Sequence, residues 1–276
     1  MIPKISALLK THQLSPSKKL GQNFLLDSNI TDKIVRNIPK IKNATVLEIG
    51  AGPGALTRSL LSSDAKMIFA LEFDRKLVSL LELLQEQHPD RLKVIEGDAL
   101  YFPEETLVSG HKLTLVGNLP YNISVPLLFK WLDKSHLFDS LTLMFQKEVA
   151  DRIAAKPNSK SYGNLSVLTQ FSSNVFHGFD ISPTAFFPPP KVTSSVITII
   201  PKPRDEYSIE LYEVLKKICH AAFNQRRKTI RNSLSAITYC AKEILKNADI
   251  DDSLRAENLS VEQFVRLTEE YIKLQE

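Results

Sequence analysis

Three of the nine glycines in this 276-residue chain fall within five residues of one another. A β-rich run at 45–50 is predicted to be a strand and ends at Gly50, and Gly52 and Gly54 lie between it and a predicted helix at 55–61. Glycines at such a connection permit a tight turn and let the backbone approach a ligand closely. In a chain so poor in glycine, this cluster favours a ligand-binding loop over a plain tight turn.

Strand and helix patterns alternate up to residue 200. Apolar runs predict strands at 45–50, 67–71, 92–95, 113–116, 141–145, 174–179 and 192–200. Helical spacing predicts helices at 55–61, 74–87, 125–132, 147–155 and 165–171. Such alternation predicts an α/β, doubly wound and mostly parallel sheet covered on both faces. The short link between the last two strands predicts an antiparallel pair at one edge.

A domain boundary is expected near residue 204. Pro201 and Pro203 interrupt the chain there, and the pattern that follows is helical to the C-terminus. We therefore expect a first domain at 1–204, whose opening 26 residues carry four lysines and no acid. A small all-helical domain is expected at 205–276.

Composition excludes several classes of protein. The net charge of +4 permits a polyanionic partner without requiring one. Two cysteines are too few for a disulfide framework or a structural zinc site, so no metal is expected. No apolar run approaches the roughly 20 residues of a membrane span, and the N-terminus lacks the apolar core of a signal peptide. We expect a cytoplasmic protein with no membrane partner.

The glycine loop also limits the type of nucleotide. The loop has no lysine of the kind that holds phosphates in a Walker A motif, and its G-x-G-x-G spacing departs from the dinucleotide fingerprint. Glu48 directly precedes the loop and would repel a pyrophosphate. S-adenosylmethionine carries a sulfonium and an ammonium but no phosphate, so it fits this loop best.

Two further acids stand at predicted strand ends. Glu72 follows the second strand, where an acidic residue of a doubly wound fold accepts hydrogen bonds from ribose hydroxyls. Asp98 follows the third strand, where its carboxylate is suited to an adenine amino group. Each acid alone is equally well explained as a solvated strand end or a helix cap. Their occurrence at successive strand ends favours a binding crevice.

The segment Asn118-Leu119-Pro120-Tyr121 follows the fourth predicted strand. The Asn118 side-chain oxygen and the Leu119 carbonyl are suited to accept both hydrogens of an exocyclic adenine amine, which frees the nitrogen lone pair for methylation. Pro120 stiffens the turn, and Tyr121 is suited to stack on the base. The alternative interpretation is an ordinary Asn-x-Pro turn. Its place at a strand end favours a catalytic role, in which positioning does most of the work.

A flipped base needs a second stacking partner. Phe186 and Phe187, beside a run of prolines, are both candidates, and the sequence does not choose between them. A core phenylalanine in a proline-rich loop is the alternative for either one.

The stretch 216–231 holds six Lys and Arg residues and no acid. Drawn as one helix, it places Phe223 and Ile230 on an apolar face, with the cations around it. We expect an RNA-binding surface that contacts phosphates without reading sequence. It consists of Arg226, Arg227, Lys228 and Arg231. A solvated charged face is the usual alternative, and the lack of interleaved acids counts against it.

These motifs together resemble the KsgA family of small-subunit ribosomal RNA adenine dimethyltransferases. The resemblance covers nearly the whole chain and rests on segments 19–25, 48–54, 97–99, 117–124, 146–150, 162–167, 188–192 and 222–228. It implies a class I, Rossmann-like methyltransferase core that uses S-adenosylmethionine, with a helical C-terminal domain. The implied cofactor contacts are Asn23, Leu25, Gly50, Glu72, Asp98 and Asn118, beside Gly52 of the glycine loop. The glycine loop departs slightly from the family pattern, since it reads Gly-Ala-Gly-Pro-Gly.

The implied reaction is N6-dimethylation of two adjacent adenines in the 3′-terminal hairpin loop of 16S rRNA, with the pre-30S particle as partner and a monomeric enzyme. Three alternatives compete with it. They are a resistance methyltransferase acting on one adenine of 23S rRNA, a non-catalytic ribosome-assembly factor, and an NAD-dependent dehydrogenase.

Overall fold

The computed structural model describes residues 5–108, 110–203 and 208–275. It divides into two compact units, one formed by 1–150 with 176–201 and the other by 151–175 with 202–276. The boundary expected at residue 204 lies outside the described residues. The second unit also includes 151–175, which the sequence pattern assigns to the first domain.

Within the described residues, nine strands form two sheets. They are β1 (Phe24–Leu25), β2 (Thr45–Ile49), β3 (Met67–Glu72), β4 (Leu92–Glu96), β5 (Leu113–Asn118), β6 (Phe138–Gln146), β7 (Ser173–Ile181), β8 (Phe186–Phe187) and β9 (Ser194–Pro201). Seven strands build the main sheet in the order β4-β3-β2-β5-β6-β9-β7. Strands β2 to β6 pair in parallel, and β9 runs antiparallel to β6. The doubly wound, mostly parallel sheet is thus confirmed, and β9 and β7 are neighbours at its edge.

Eleven α-helices accompany the strands in the described residues. They are α1 (Ile5–Thr11), α2 (Ser28–Arg36), α3 (Ala55–Leu61), α4 (Arg75–Gln87), α5 (Ser124–Asp133), α6 (Lys147–Ile153), α7 (Asn164–Ser172), α8 (Ile209–Asn224), α9 (Ile230–Leu234), α10 (Ala241–Asn247) and α11 (Val261–Lys273). Neighbouring residues of β2, such as Val46 and Leu47, are both fully buried. Since successive side chains of a strand point to opposite faces, helices cover both faces of this sheet. No described helix is long and apolar enough to cross a membrane.

Strands β1 and β8 form a separate two-stranded antiparallel ribbon, in which Phe24 pairs with Phe187 and Leu25 with Phe186. The sequence analysis missed this ribbon because two-residue strands are too short to show a periodicity. Leu25 and Phe186 are buried in the core of the first unit. The ribbon therefore anchors the N-terminal segment beside the glycine loop.

The second unit contains the acid-free stretch, and here the sequence prediction of one continuous helix is wrong. Helix α8 ends at Asn224, and α9 begins only at Ile230. The residues between them, 225–229, form a turn that we call the basic turn. Thr229 caps α9 through its side chain, which accepts a hydrogen bond from the Asn232 N–H. The helical projection assumed a continuity that this cap interrupts.

Candidate active site

A cavity of about 230 Å³ opens at the carboxyl ends of the parallel strands. Ligands of open α/β sheets bind at this edge. We call it the first cavity. It is lined by most of the predicted cofactor and catalytic residues, namely Asn23, Gly50, Gly52, Glu72, Asp98, Asn118, Leu119, Pro120 and Tyr121.

Two glycines show why the backbone is so close here. Gly50 has a φ of +66°, a left-handed conformation that a residue with a Cβ adopts only with strain. At Gly117 a Cβ would lie 2.8 Å from the Ile49 carbonyl oxygen of the neighbouring strand. The sheet can therefore bring the glycine loop next to Asn118 only because position 117 lacks a side chain.

Glu72 ends β3 with its carboxylate buried beside the glycine loop. The backbone N–H groups of Gly52 and Asp74 each donate to it at 2.8 Å. Burial raises the pKa of Glu72, and these hydrogen bonds oppose the rise. A carboxylate has about four lone-pair sites, so Glu72 retains acceptor capacity toward the first cavity.

Asp98 lies on the loop after β4, where it accepts a hydrogen bond from the Leu100 N–H at 2.9 Å. Lys130 holds this loop in place, because its Nζ donates to the carbonyls of Ala99 and Phe102 at 2.7 Å. That ammonium also pairs with Glu104 at 2.6 Å. Helix α5, which begins shortly after the Asn118 loop, thus supports the Asp98 loop as well.

Glu48 does not line the first cavity, contrary to what the sequence argument assumed. It is 1% exposed and lines a small third cavity of about 30 Å³ with Leu25, Met144 and the glycine loop. Burial raises its pKa to about 8, with a smaller contribution from Glu72. At neutral pH most of it is therefore protonated, so the predicted repulsion of a pyrophosphate is largely lost. One of its oxygens, Oε2, is buried without a hydrogen-bond partner in the described structure.

Asn118 has a fixed side-chain orientation. Its Nδ2 donates to the Asn23 carbonyl at 2.9 Å. No described group donates to its Oδ1. The amide is thus held from its nitrogen end, and its oxygen keeps both lone pairs for a ligand. This is the arrangement that acceptance of an amine hydrogen requires.

Tyr121 borders a second cavity, of about 550 Å³, together with Asn23 and Asn122. Its hydroxyl lies 2.6 Å from the Ser194 hydroxyl of β9, and burial raises its pKa. The tyrosine hydroxyl therefore remains neutral. The ring is held by its own backbone at one end and by the hydroxyl contact with Ser194 at the other. The sequence analysis did not identify Ser194, because β9 is adjacent to the tyrosine only in the folded sheet.

The two candidate phenylalanines differ sharply in exposure. Phe186 is 4% exposed and belongs to the core, whereas Phe187 is 52% exposed. Neither lines the first or the second cavity among the described contacts. Phe187 pairs across the ribbon with Phe24, which does line the first cavity.

The two N-terminal cofactor contacts implied by the resemblance, Asn23 and Leu25, lie in different cavities. Asn23 lines the first and second cavities, while Leu25 is buried and lines only the third. Sequence reasoning missed Phe24 and Phe73, both in the wall of the first cavity. Phe73 is 57% exposed and directly follows Glu72, and an exposed aromatic after a strand-end acid is the signal that could have found it.

In the second unit, the predicted RNA-binding cations fall into two groups. Arg226 donates to the carbonyls of Lys160 and Tyr162 at 3.0 Å and lies 3.3 Å from Glu257. Arg231 lies 3.4 Å from Asp252. Acids distant in sequence therefore supply the partners that the stretch itself lacks.

Arg227 and Lys228 form the other group. Both are exposed on the basic turn, and neither pairs with a described carboxylate. Of the four predicted RNA-binding cations, these are the two whose charge faces solvent without a carboxylate partner in the described structure.

Comparison with known proteins places the chain in a family. The family model described as "Ribosomal RNA adenine dimethylase" matches residues 14–273. The "Ribosomal RNA small subunit methyltransferase A" of Wolbachia pipientis wMel is 49% identical over 259 residues, which cover 94% of this chain and 90% of that protein.

Solved structures agree. A dimethyladenosine transferase from Plasmodium falciparum is similar with a TM-score of 0.77 and 28% identity, covering 90% of this chain and 96% of that one. A 23S rRNA methyltransferase, ErmE, has a TM-score of 0.71 at 22% identity, covering 90% of this chain and 99% of that one, and shows the shared fold alone. With the cavity at the strand ends and the oriented Asn118, these matches lead to one conclusion: the chain belongs to the ribosomal RNA adenine dimethylase family.

Proposed function

We propose that this enzyme dimethylates N6 of two adjacent adenines in the 3′-terminal hairpin loop of small-subunit ribosomal RNA, with S-adenosylmethionine as the methyl donor. We further propose that it acts as a cytoplasmic monomer on the pre-30S particle. The observation that carries the proposal is the Asn118 amide, whose nitrogen is held by the Asn23 carbonyl. Its oxygen is left free at the wall of the first cavity.

The residues of the first and third cavities fit S-adenosylmethionine, which supplies an electrophilic methyl group when bound. Glu72 is suited to accept hydrogen bonds from ribose hydroxyls, and Asp98 to accept one from the adenine amine. No lysine or arginine occurs in the glycine loop, which agrees with a ligand that carries no phosphate.

The catalytic segment acts by positioning. In the first transfer, Asn118 Oδ1 and the Leu119 carbonyl accept the two hydrogens of the target amine, which concentrates its lone pair on the nitrogen, and N6 loses one proton as it gains the methyl group. In the second transfer, the one remaining hydrogen bonds to one of these two acceptors. Tyr121 stacks on the base in the second cavity, and Ser194 keeps the tyrosine ring in place. We assign the opposite stacking partner to Phe187, since Phe186 is buried. Correct alignment of this kind lowers the free-energy barrier to methyl transfer substantially, and no strong base is required.

Two observations favour the small subunit over 23S rRNA. The relative that is 49% identical bears a small-subunit name, whereas the 23S enzyme shares the fold at 22% identity. The oriented Asn118 supports catalysis over a purely structural role in ribosome assembly. A dehydrogenase is disfavoured because the family match spans 14–273.

The test incubates the purified chain with methyl-labelled S-adenosylmethionine and unmethylated small- or large-subunit ribosomal particles in parallel. We expect label in the small-subunit RNA only, recovered as N6,N6-dimethyladenosine after digestion. Label in the large-subunit RNA, or none in either RNA, would contradict the proposal.

A further inference from the structure

The N-terminal segment 17–23 separates two cavities. Lys19, Gly21 and Asn23 line both the first and the second cavity, and Lys18 lines the second. The segment is therefore a wall shared by the proposed cofactor site and the proposed base site.

This wall is held rigidly. Lys18–Leu20 forms a 3₁₀ turn that ends at Gly21, in the left-handed conformation. The Ser17 N–H donates to Gln22 Oε1 at 2.8 Å, and the Gln22 amide reaches Asp74 at 3.2 Å. These bonds fix the backbone of Lys18 and Lys19, so both ammonium groups extend from a rigid segment.

The wall also contacts the catalytic loop. A Cβ on Gly21 would lie 3.2 Å from Asn122 Oδ1, so the Gly21 backbone packs closely against the Asn122 side chain. Two residues further on, the Asn23 carbonyl holds the Asn118 amide. A ligand bound to the lysines would thus sit on the same short segment that orients the catalytic amide.

The two lysines carry uncompensated charge. Both are exposed, and neither pairs with a described carboxylate. The first 26 residues contain no acid at all. By contrast, Lys130 and Lys134 of the same unit are neutralised by Glu104 and Glu105. Two adjacent ammonium groups at a cavity edge favour an anionic ligand outside the chain.

We propose that Lys18 and Lys19 bind the RNA phosphodiester next to the flipped adenosine and so place that nucleotide against Asn118. The inference rests on the proposed function, because it takes the second cavity as the base site. Lysines act on phosphate as point charges, so the contact is independent of base sequence. The cofactor carboxylate is the competing anion for Lys19, which also lines the first cavity.

The double variant K18Q/K19Q tests the proposal. Its matched control is K40Q/K42Q, which removes the same charge from two exposed lysines that precede the amino end of β2, opposite to the edge that carries the site. RNA affinity is measured across a range of salt concentrations, for unmodified small-subunit rRNA and for a non-substrate single-stranded RNA. Affinity for S-adenosylhomocysteine is measured by calorimetry.

We expect K18Q/K19Q to reduce the slope of log affinity against log salt by about two on both RNAs, and to weaken RNA binding roughly tenfold at physiological salt. Affinity for S-adenosylhomocysteine should not change. A slope equal to that of the control, or a parallel loss of S-adenosylhomocysteine affinity, would overturn the proposal. If the slope falls while wild-type protein methylates no small-subunit RNA, the phosphate contact stands and the proposed function fails.

Discussion

In the first cavity, Asn118 donates to the Asn23 carbonyl and keeps its own side-chain oxygen free. In the basic turn, Arg226 donates to two carbonyls and also pairs with Glu257. Both residues stood out in the sequence as functional candidates. In Asn118 the hydrogen bond leaves an acceptor oxygen free at a cavity, whereas in Arg226 the three contacts all engage Nη2 within the second unit.

The difference shows how far a charge or amide pattern in sequence indicates function. A polar side chain can bind a ligand with the groups that the fold leaves unpartnered. The charge count of a linear stretch omits partners supplied from elsewhere, such as Glu257 for Arg226 and Asp252 for Arg231. A group's function therefore depends on its remaining hydrogen-bonding capacity.

The largest effect is expected at Asn118. Replacement by alanine removes the free oxygen and should lower kcat for methyl transfer by about 10³-fold, by analogy with the loss of one preorganised polar group. Binding of S-adenosylhomocysteine should weaken but persist, because Glu72 and Asp98 remain. Single-turnover transfer and calorimetry measure the two effects separately, and near-normal transfer by N118A would refute the assigned role.

Glu48 tests the other unpartnered oxygen of the site region. Its pKa of about 8 in the folded chain exceeds the ordinary value of 4.5, so the folded chain keeps a proton that the unfolded chain loses. The stability contributed by this proton is present below pH 4.5 and is lost as pH rises to 8.

The variant E48Q removes this dependence. Relative to wild type, its free energy of unfolding in urea should rise between pH 5 and pH 9 by on the order of 3–5 kcal/mol. E86Q, which changes an exposed glutamate of α4, is the matched control for the loss of one carboxylate. A difference between E48Q and wild type that stays constant over this pH range would show that the carboxyl ionises normally.

Two variants separate the structural cation of the basic turn from its proposed RNA-binding cations. R226A should lower the free energy of unfolding by about 1–3 kcal/mol, because it leaves two carbonyls without their donor. R227Q/K228Q should leave stability unchanged and reduce the salt slope of RNA binding by about two. The reverse assignment, with the slope lost in R226A and stability lost in the double variant, would invert our interpretation of the turn.

The smallest effect is expected at the hydroxyl pair of Tyr121 and Ser194. Y121F, S194A and the double variant each remove the same hydrogen bond, so all three should lower kcat/KM by about fivefold, without additivity. S195A is the matched control, since that serine bonds Asp180 instead. Additive losses in the double variant would mean that the two hydroxyls act separately.

The strands could be predicted from local patterns, and so could the grouping of most proposed cofactor residues around one cavity. The apolar runs that predict β2 to β6 are continuous, and Glu72 and Asp98 follow them at fixed places. The ribbon of β1 and β8 and the partners of Arg226 could not be predicted, because both depend on contacts between residues far apart in sequence, which a local periodicity does not contain. The break after Asn224 was missed for a different reason, since the helical projection ignored the local cap at Thr229.

The most direct test is mass mapping of methylated adenines at nucleotide resolution, in RNA recovered from unmethylated small-subunit particles that were incubated with the chain and S-adenosylmethionine. We predict two adjacent N6,N6-dimethyladenosines in the 3′-terminal hairpin loop and no other new methylation. A single methylated adenine, or dimethylation outside that loop, would contradict the proposed function.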